Sequence, residues 1–227
     1  MDILFAKRKS ISFSAFEIVN NLRKKADFKT IIDVGANGGQ FAKTSSFFFK
    51  NANIYSFEPL PDQYKELNST MRLSDRISLY NLALGNESGK IQFNKNSYGH
   101  ISSVLEINPE NLNPNYKRSE FKKIEVKIEK LDNVIMQNLC IYPVLLKLDV
   151  QGYELEVLKG STRLLDKSID YIVVEANLEA LYTGQPSFTE LNRFLNENGF
   201  ELDGMLDFNL GNAFKYIEFD LLYKKIK

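Results

Sequence analysis

The chain has 227 residues, 44% of them hydrophobic and 26% charged, which suits one domain with a sizeable core rather than a disordered or membrane-spanning chain. Its 29 basic and 29 acidic residues cancel, so a general polyanion binder is excluded and no nucleic-acid partner is expected. The one cysteine, Cys140, rules out an internal disulfide and a multi-cysteine metal centre, and fits a reducing, cytoplasmic location.

The basic, amphipathic opening "MDILFAKRKSISFSAF" has no long apolar core or small-residue cleavage site, so neither a signal peptide nor a membrane span is expected. Phe16, Val19 and Leu22 then recur at helical spacing, and a helix is predicted over 13–25 with its basic end at the C-terminus. "TIIDV" (30–34) is an apolar run stopped by a glycine turn, hence a buried strand, and a helix follows over 38–50. "NIYSFEP" (53–59) is a strand ended by Pro59, and "LPDQYKELNSTMRL" a helix with proline near its start. "ISLYNLAL" (77–84) and "KIQFN" (90–94) flank "GNESG" and read as two strands joined by a turn. Residues 94–123, rich in Asn, Ser and Pro, make a long irregular stretch of the kind that forms a lid or stays disordered. "IEVKIEKL" alternates as a half-buried strand, and "VLLKLDV" (144–150) is apolar up to its acid. "YELEVLKGSTRLL" reads as one helix and "YIVVEA" (171–176) as a further buried strand. "SFTELNRFLNENGF" is a helix with Ser187 at its N-cap and Gly199 at its end. "FELDGM" and "EFDLLYK" close the sheet as an antiparallel pair. Apolar strands alternating with helices give an α/β sandwich around a mostly parallel sheet.

Open α/β sheets bind ligands at the carboxyl ends of their strands. Asp33, Glu58, Asp149 and Glu175 all stand at such ends, where folding needs no carboxylates and a cluster of them meets desolvation and repulsion. A dinucleotide site would need G-x-G-x-x-G and, about 20 residues later, an acid for the ribose. Glu58 suits the second requirement, but "GANGG" sets Gly35, Gly38 and Gly39 off that spacing, and Asp33 would repel a pyrophosphate. A ligand with an ammonium, a sulfonium and a ribose diol, but no phosphate, answers both features; S-adenosylmethionine is such a ligand. A nicotinamide-dependent oxidoreductase is the enzymatic alternative, and a cofactor-binding regulatory module without catalysis the non-enzymatic one.

"DVGANGGQF", "FEPLPDQYKEL", "NLALGNESGKIQF", "LLKLDVQGYELEVLKG" and "VVEANLEALY" occur in the order found in the FkbM family of class I methyltransferases, which the chain resembles from about Thr30 to Phe200. The resemblance implies a Rossmann-like class I methyltransferase sandwich over residues 29–227, with a mostly parallel seven-stranded sheet and an antiparallel C-terminal strand, preceded by a short helical extension over 1–28. It implies S-adenosyl-L-methionine as cofactor. Asp33 and the turn of Gly35, Ala36, Asn37 and Gly38 would lie near its methionine part, with Phe41 counted in the same group. Glu58 would take the ribose hydroxyls, Pro59 and Leu82 would lie near the adenine, and Ala83 would make the close backbone contact. Asp149 would stand beside the transferred methyl. Leu82 reads equally well as plain core.

Methyl transfer to a hydroxyl needs the acceptor aligned and its proton removed; alignment supplies on the order of 7–11 kcal/mol in the best intramolecular models, and a general base typically ~10²–10⁴-fold. The candidate bases are Asp149, Glu175 and His100, the only histidine, although a loop histidine is as a rule a surface residue. Asp149, Glu175 and Asn177 could together hold Mg²⁺ through oxygens, an arrangement of groups that also occurs without a metal. By the resemblance, Ser102 and Ser103 shape an acceptor pocket; Glu154 caps a helix, and Cys140 is structural. The expected acceptor is a hydroxyl on a sugar, a glycan precursor or a secondary metabolite. Phe5, Ile11, Phe13 and Phe16 would cover the cofactor or meet a second subunit, so monomer and homodimer are both open.

Overall fold

The computed structural model describes residues 13–71, 74–97, 101–108, 110, 120–210 and 217–226. Strands β1 (Thr30–Val34), β2 (Asn53–Phe57), β3 (Ile77–Tyr80), β7 (Val144–Leu148), β8 (Tyr171–Asn177), β9 (Phe200–Leu210) and β10 (Ile217–Lys225) form a seven-stranded sheet in the order β3-β2-β1-β7-β8-β10-β9. The first five in that order run parallel, whereas β10 is antiparallel to both β8 and β9. This is the expected sandwich with its antiparallel C-terminal strand.

Alternation along the strands divides the core. Ile31, Leu145 and Val173 pack with helices α1 (Phe13–Leu22), α2 (Gln40–Phe48) and α3 (Pro61–Met71) on one face. Ile32, Val34, Leu146, Leu148 and Val174 face the short α4 (Leu131–Val134), α5 (Glu154–Lys159), α6 (Thr162–Lys167) and then α7 (Phe188–Glu197) on the other. Helix α1 contributes buried Ile18, Val19 and Leu22 to the first core, so it is packed into the sandwich along with α2. At α7, Ser187 is the expected N-cap: it accepts from the Glu190 N–H while the Glu190 carboxylate accepts from the Ser187 N–H, a reciprocal capping box.

Two local expectations are corrected. "ISLYNLAL" is not one strand: β3 stops at Tyr80, and Ala83–Leu84 (β4) joins a separate three-stranded sheet, β4-β6-β5, with β5 at Gly89–Asn96 and β6 at Phe121–Glu129. The "GNESG" turn therefore links two strands that both pair with β6, one parallel and one antiparallel, and not with each other. The side-chain amide of Asn81 donates to the carbonyls of Glu58 and Pro59, which turns the chain out of the large sheet there. "YELEVLKGSTRLL" is two helices, α5 and α6, because Gly160 packs on the Gly85 backbone; a Cβ there would lie 1.9 Å from the Gly85 carbonyl oxygen. Among the described residues no helix is long and apolar enough to cross a membrane.

Candidate functional site

The strand order reverses between β1 and β7, so their carboxyl ends open the crevice where ligands of such sheets bind. Gly35 ends β1 with φ +77, and a Cβ on it would lie 1.8 Å from the Asp149 carbonyl oxygen. Only glycine lets the two strand ends approach this closely. The N–H groups of Gly35 and Ala36 both donate to the Phe57 carbonyl, at 3.0 and 2.9 Å, tying the turn to β2. Asn37, also left-handed, donates its N–H to Glu58 Oε2 at 2.8 Å, and the Leu60 N–H donates to Glu58 Oε1 at 2.8 Å. Burial pushes the Glu58 carboxyl up to about 7 despite these two bonds. Gly38 has a different reason: a Cβ would meet the Glu66 carboxyl of α3 at 2.9 Å.

Beside this turn lies an apolar cleft lined by Val34, Gly35, Phe57, Pro59, Leu82, Ala83, Leu84, Val104, Val150 and Tyr153. The sequence-derived residues Gly35, Pro59, Leu82 and Ala83 meet here, with Glu58 anchored behind Pro59.

The β7–β8–β10 side is charged. Register places Asp33 directly beside Lys147, and Glu175 beside Asp220. Asp33 is sealed from solvent, and its Oδ2 has no hydrogen-bond donor among the described residues. Lys147 Nζ stands 3.3 Å from Asp33 Oδ1 and 3.3 Å from Asp149 Oδ2, donates to the Gly35 carbonyl at 3.2 Å, and lies over the buried Phe41 ring. Burial alone would lower the Lys147 ammonium, but the Asp149 and Asp33 charges reverse this and hold it well above the usual lysine value. Burial works to raise Asp149 too, yet Lys147 and the hydrogen bonds of Gln151 and Glu175 keep it below the usual carboxylate range. Its side chain keeps 37% of its surface open. Glu175 is pushed well up by burial and then by the Asp149 charge, and Asp220 to about 7 by the same two causes. Gln151, at φ +57, donates from Nε2 to Asp149 Oδ1 at 3.0 Å and towards Glu175 at 3.3 Å, and accepts at Oε1 from the Tyr182 hydroxyl at 2.9 Å.

Several expected residues have other immediate tasks. Ala36 is buried under its bond to Phe57. Ser102 accepts from the Asn96 N–H, and Ser103 donates to the Gln151 carbonyl, so both brace loops. Glu154 accepts from the Val150 and Gly152 N–H groups and pins the β7–α5 loop. Asn177 is buried, and its Oδ1 has no partner among the described residues. His100 lies outside the described residues. The expectation of Mg²⁺ at Asp149, Glu175 and Asn177 gains no support: among the described residues no three acidic, histidine or cysteine side chains form a group that could hold a metal ion. Lys147 already supplies the cation beside Asp149, and an amide proton of Gln151 points between the two acids. Lys147, Gln151, Tyr182 and Asp220 are absent from the sequence-based expectations; a lysine inside the apolar run "VLLKLDV" is the visible signal for Lys147.

A profile of the methyltransferase FkbM domain matches residues 33–202. The chain is 29% identical over 161 residues to hexuronic acid methyltransferase AglP of Haloferax volcanii, an alignment covering 70% of this chain and 61% of that protein. It is 25% identical to 2-O-methyltransferase NoeI of Sinorhizobium fredii, covering 79% of this chain and 75% of that one. The crystal structure of methyltransferase FkbM from Methylobacillus flagellatus KT superposes with a TM-score of 0.55 at 14% identity, over 87% of this chain and 44% of that one, a likeness of fold. The five ordered motifs, the β1–β7 switch point with its glycine turn and the profile match lead to one conclusion: the chain belongs to the FkbM methyltransferase family.

Proposed function

We propose that this protein is an S-adenosylmethionine-dependent O-methyltransferase acting on a hydroxyl of a sugar, a glycan precursor or a secondary metabolite. The observation that carries the reading is the adjacency of an anchored carboxyl, Glu58, and an apolar cleft to a turn that abuts the backbone carbonyl of Asp149, whose side chain is partly open. The residues fit the cofactor: a flat adenine suits the wall of Pro59, Leu82 and Ala83, and a ribose diol suits Glu58, whose oxygens each keep a free lone pair beside their backbone bond. When bound, the cofactor supplies a methyl group on a sulfonium leaving group.

The chain's own residues do the rest. The turn from Gly35 to Gly38 and the walls of the cleft fix orientation, which is where most of the rate enhancement of such a displacement arises. Asp149, partly open and favoured in its charged form by Lys147, is the group suited to accept the acceptor's proton at a carboxylate oxygen; Glu175, buried and pushed towards its neutral form, is less suited. Lys147 keeps Asp149 ionised and fixed in place. The AglP and NoeI descriptions, hexuronic acid and 2-O-methylation, support a carbohydrate hydroxyl for this chain. We extend the reading to a cytoplasmic protein that does not act on nucleic acid.

The test is incubation of purified protein with methyl-labelled S-adenosylmethionine and a matched panel of hexuronides, hexosides and small polyols, read by mass spectrometry. Label in an ether-linked methyl of one class, lost in Asp149→Asn, is expected. Tight cofactor binding without transfer to any acceptor would favour the regulatory alternative.

A further inference from the structure

Gln151 has a place that its sequence context does not explain. It adopts a left-handed backbone that a long side chain rarely takes, and every polar atom of its side chain is used. Its Nε2 donates to Asp149 Oδ1 and reaches both oxygens of Glu175, at 3.3 and 3.4 Å. Its Oε1 accepts from Tyr182, so the orientation of the amide is set: oxygen to the phenol, nitrogen to the acids.

Tyr182 is itself held. It is buried, its backbone bridges to Ile107, and its N–H donates to the Gln185 side chain, as does that of Leu181. The Asn108 N–H donates to the Leu181 carbonyl and the Thr183 N–H to the Glu106 carbonyl, each at 2.8 Å. Two chain segments, 103–108 and 181–185, thus join each other beside the strand ends, and both reach Gln151: Tyr182 at its amide, Ser103 at its backbone carbonyl. The contact is close, since a Cβ on the neighbouring Gly152 would lie 3.0 Å from the Tyr182 ring.

We propose that Gln151, keyed by Tyr182, is a positioning residue of the active site, which turns the Asp149 carboxylate towards the cofactor's cationic sulfur and couples that alignment to the 103–108/181–185 segments. The inference rests on the cofactor reading above. Asp149 is the carboxylate whose charge is open to the crevice, and Gln151 is the neutral donor that fixes its direction. A residue that merely supported the fold would affect cationic and neutral forms of the ligand alike. A residue that aims a carboxylate at a sulfonium acts on the cation alone.

The experiment is calorimetric titration of wild type, Gln151→Asn and Tyr182→Phe with S-adenosylmethionine and, separately, with S-adenosylhomocysteine, which lacks the sulfonium charge and is neutral overall, alongside a melting curve for each protein. Asparagine tolerates the left-handed backbone but is one methylene too short to bridge the acids, and Tyr182→Phe removes a single oxygen. The expected result is a loss of about three- to tenfold in affinity for the cationic ligand, with less than about twofold change for the neutral one, the size of a displaced charge interaction in a partly wet site. Equal losses for both ligands, or no loss in either variant, would overturn the proposal. Should Gln151→Asn fail to fold, Tyr182→Phe alone decides between these outcomes. Wild type that binds neither ligand would sink the cofactor reading, and this inference with it.

Discussion

On the β1–β2 side of the crevice the chain offers an apolar wall and one anchored carboxyl; on the β7–β8–β10 side it offers Asp149, Glu175 and Asp220 around a buried lysine. The first side can select a ligand by shape and by a pair of hydrogen bonds, and its residues are the ones a well-packed fold would tolerate anyway. The second is expensive to fold, because buried carboxyls are desolvated and repel one another. A protein keeps such a cluster where charge is needed, and Lys147 is what makes it tolerable.

The largest effect should come from the joint between the two sides. Gly35→Ala places a Cβ against the Asp149 carbonyl on a backbone that disfavours side chains, and should cost about 4–5 kcal/mol or prevent folding, measured by urea unfolding. Next is the charged side: Lys147→Met leaves Asp33 and Asp149 without their counter-charge and should cost about 3–5 kcal/mol at neutral pH. That loss should shrink as the pH falls and the acids protonate. If it is unchanged between pH 8 and pH 5, Lys147 is acting through packing alone.

The pH dependence of the wild type sharpens the same contrast. Glu58, Glu154 and Asp220 each titrate at about 7 in the folded protein, all pushed up by burial from 4.5 for the glutamates and 3.8 for the aspartate. Between those values and about 7 the folded state holds protons that the unfolded chain has released, so unfolding free energy falls as the pH rises. The stabilising contribution of these three groups is fully present below the unfolded values and is lost as the pH rises through about 7. Melting at pH 5.5 should therefore exceed melting at pH 8 by several degrees, and a flat profile would show that these carboxyls are better solvated than their burial implies. The smallest effect should lie away from both sides: Ser187→Ala removes the α7 cap, costs about 1 kcal/mol and leaves ligand affinity alone.

Much of the apolar side was legible because its signals are local. A short apolar strand, a glycine turn and an acid one strand later are all read from neighbours in sequence, and Asp33, Gly35 and Glu58 follow from them. The charged side depends on register. Lys147 meets Asp33 only because β1 and β7 pair in step, and Asp220 meets Glu175 only through the antiparallel return of β10. No local pattern encodes either pairing, although a lysine inside a strand buried along its length demands a partner somewhere. Asp33 is expected near the methionine part of the cofactor; in the structure its side chain is sealed from solvent and stands beside Lys147. Gln151 was hidden for another reason, since a left-handed glutamine is rare and only the glycine after it hinted at a sharp turn. The break after Tyr80 was missed because "YNLAL" is apolar enough to continue a strand, and the amide of Asn81 works through contacts far away in sequence.

On the proposed function, the apolar cleft and Glu58 hold an adenosyl ligand without a phosphate. The most direct test is calorimetric titration at pH 8 with S-adenosylhomocysteine and with NAD⁺, in wild type and Glu58→Ala. Micromolar binding of the first, weakened at least about tenfold by the substitution as expected for lost hydrogen bonds to a charged group, with no heat from NAD⁺, is the predicted result. Binding of NAD⁺ in place of S-adenosylhomocysteine, or an unchanged affinity in Glu58→Ala, would contradict it.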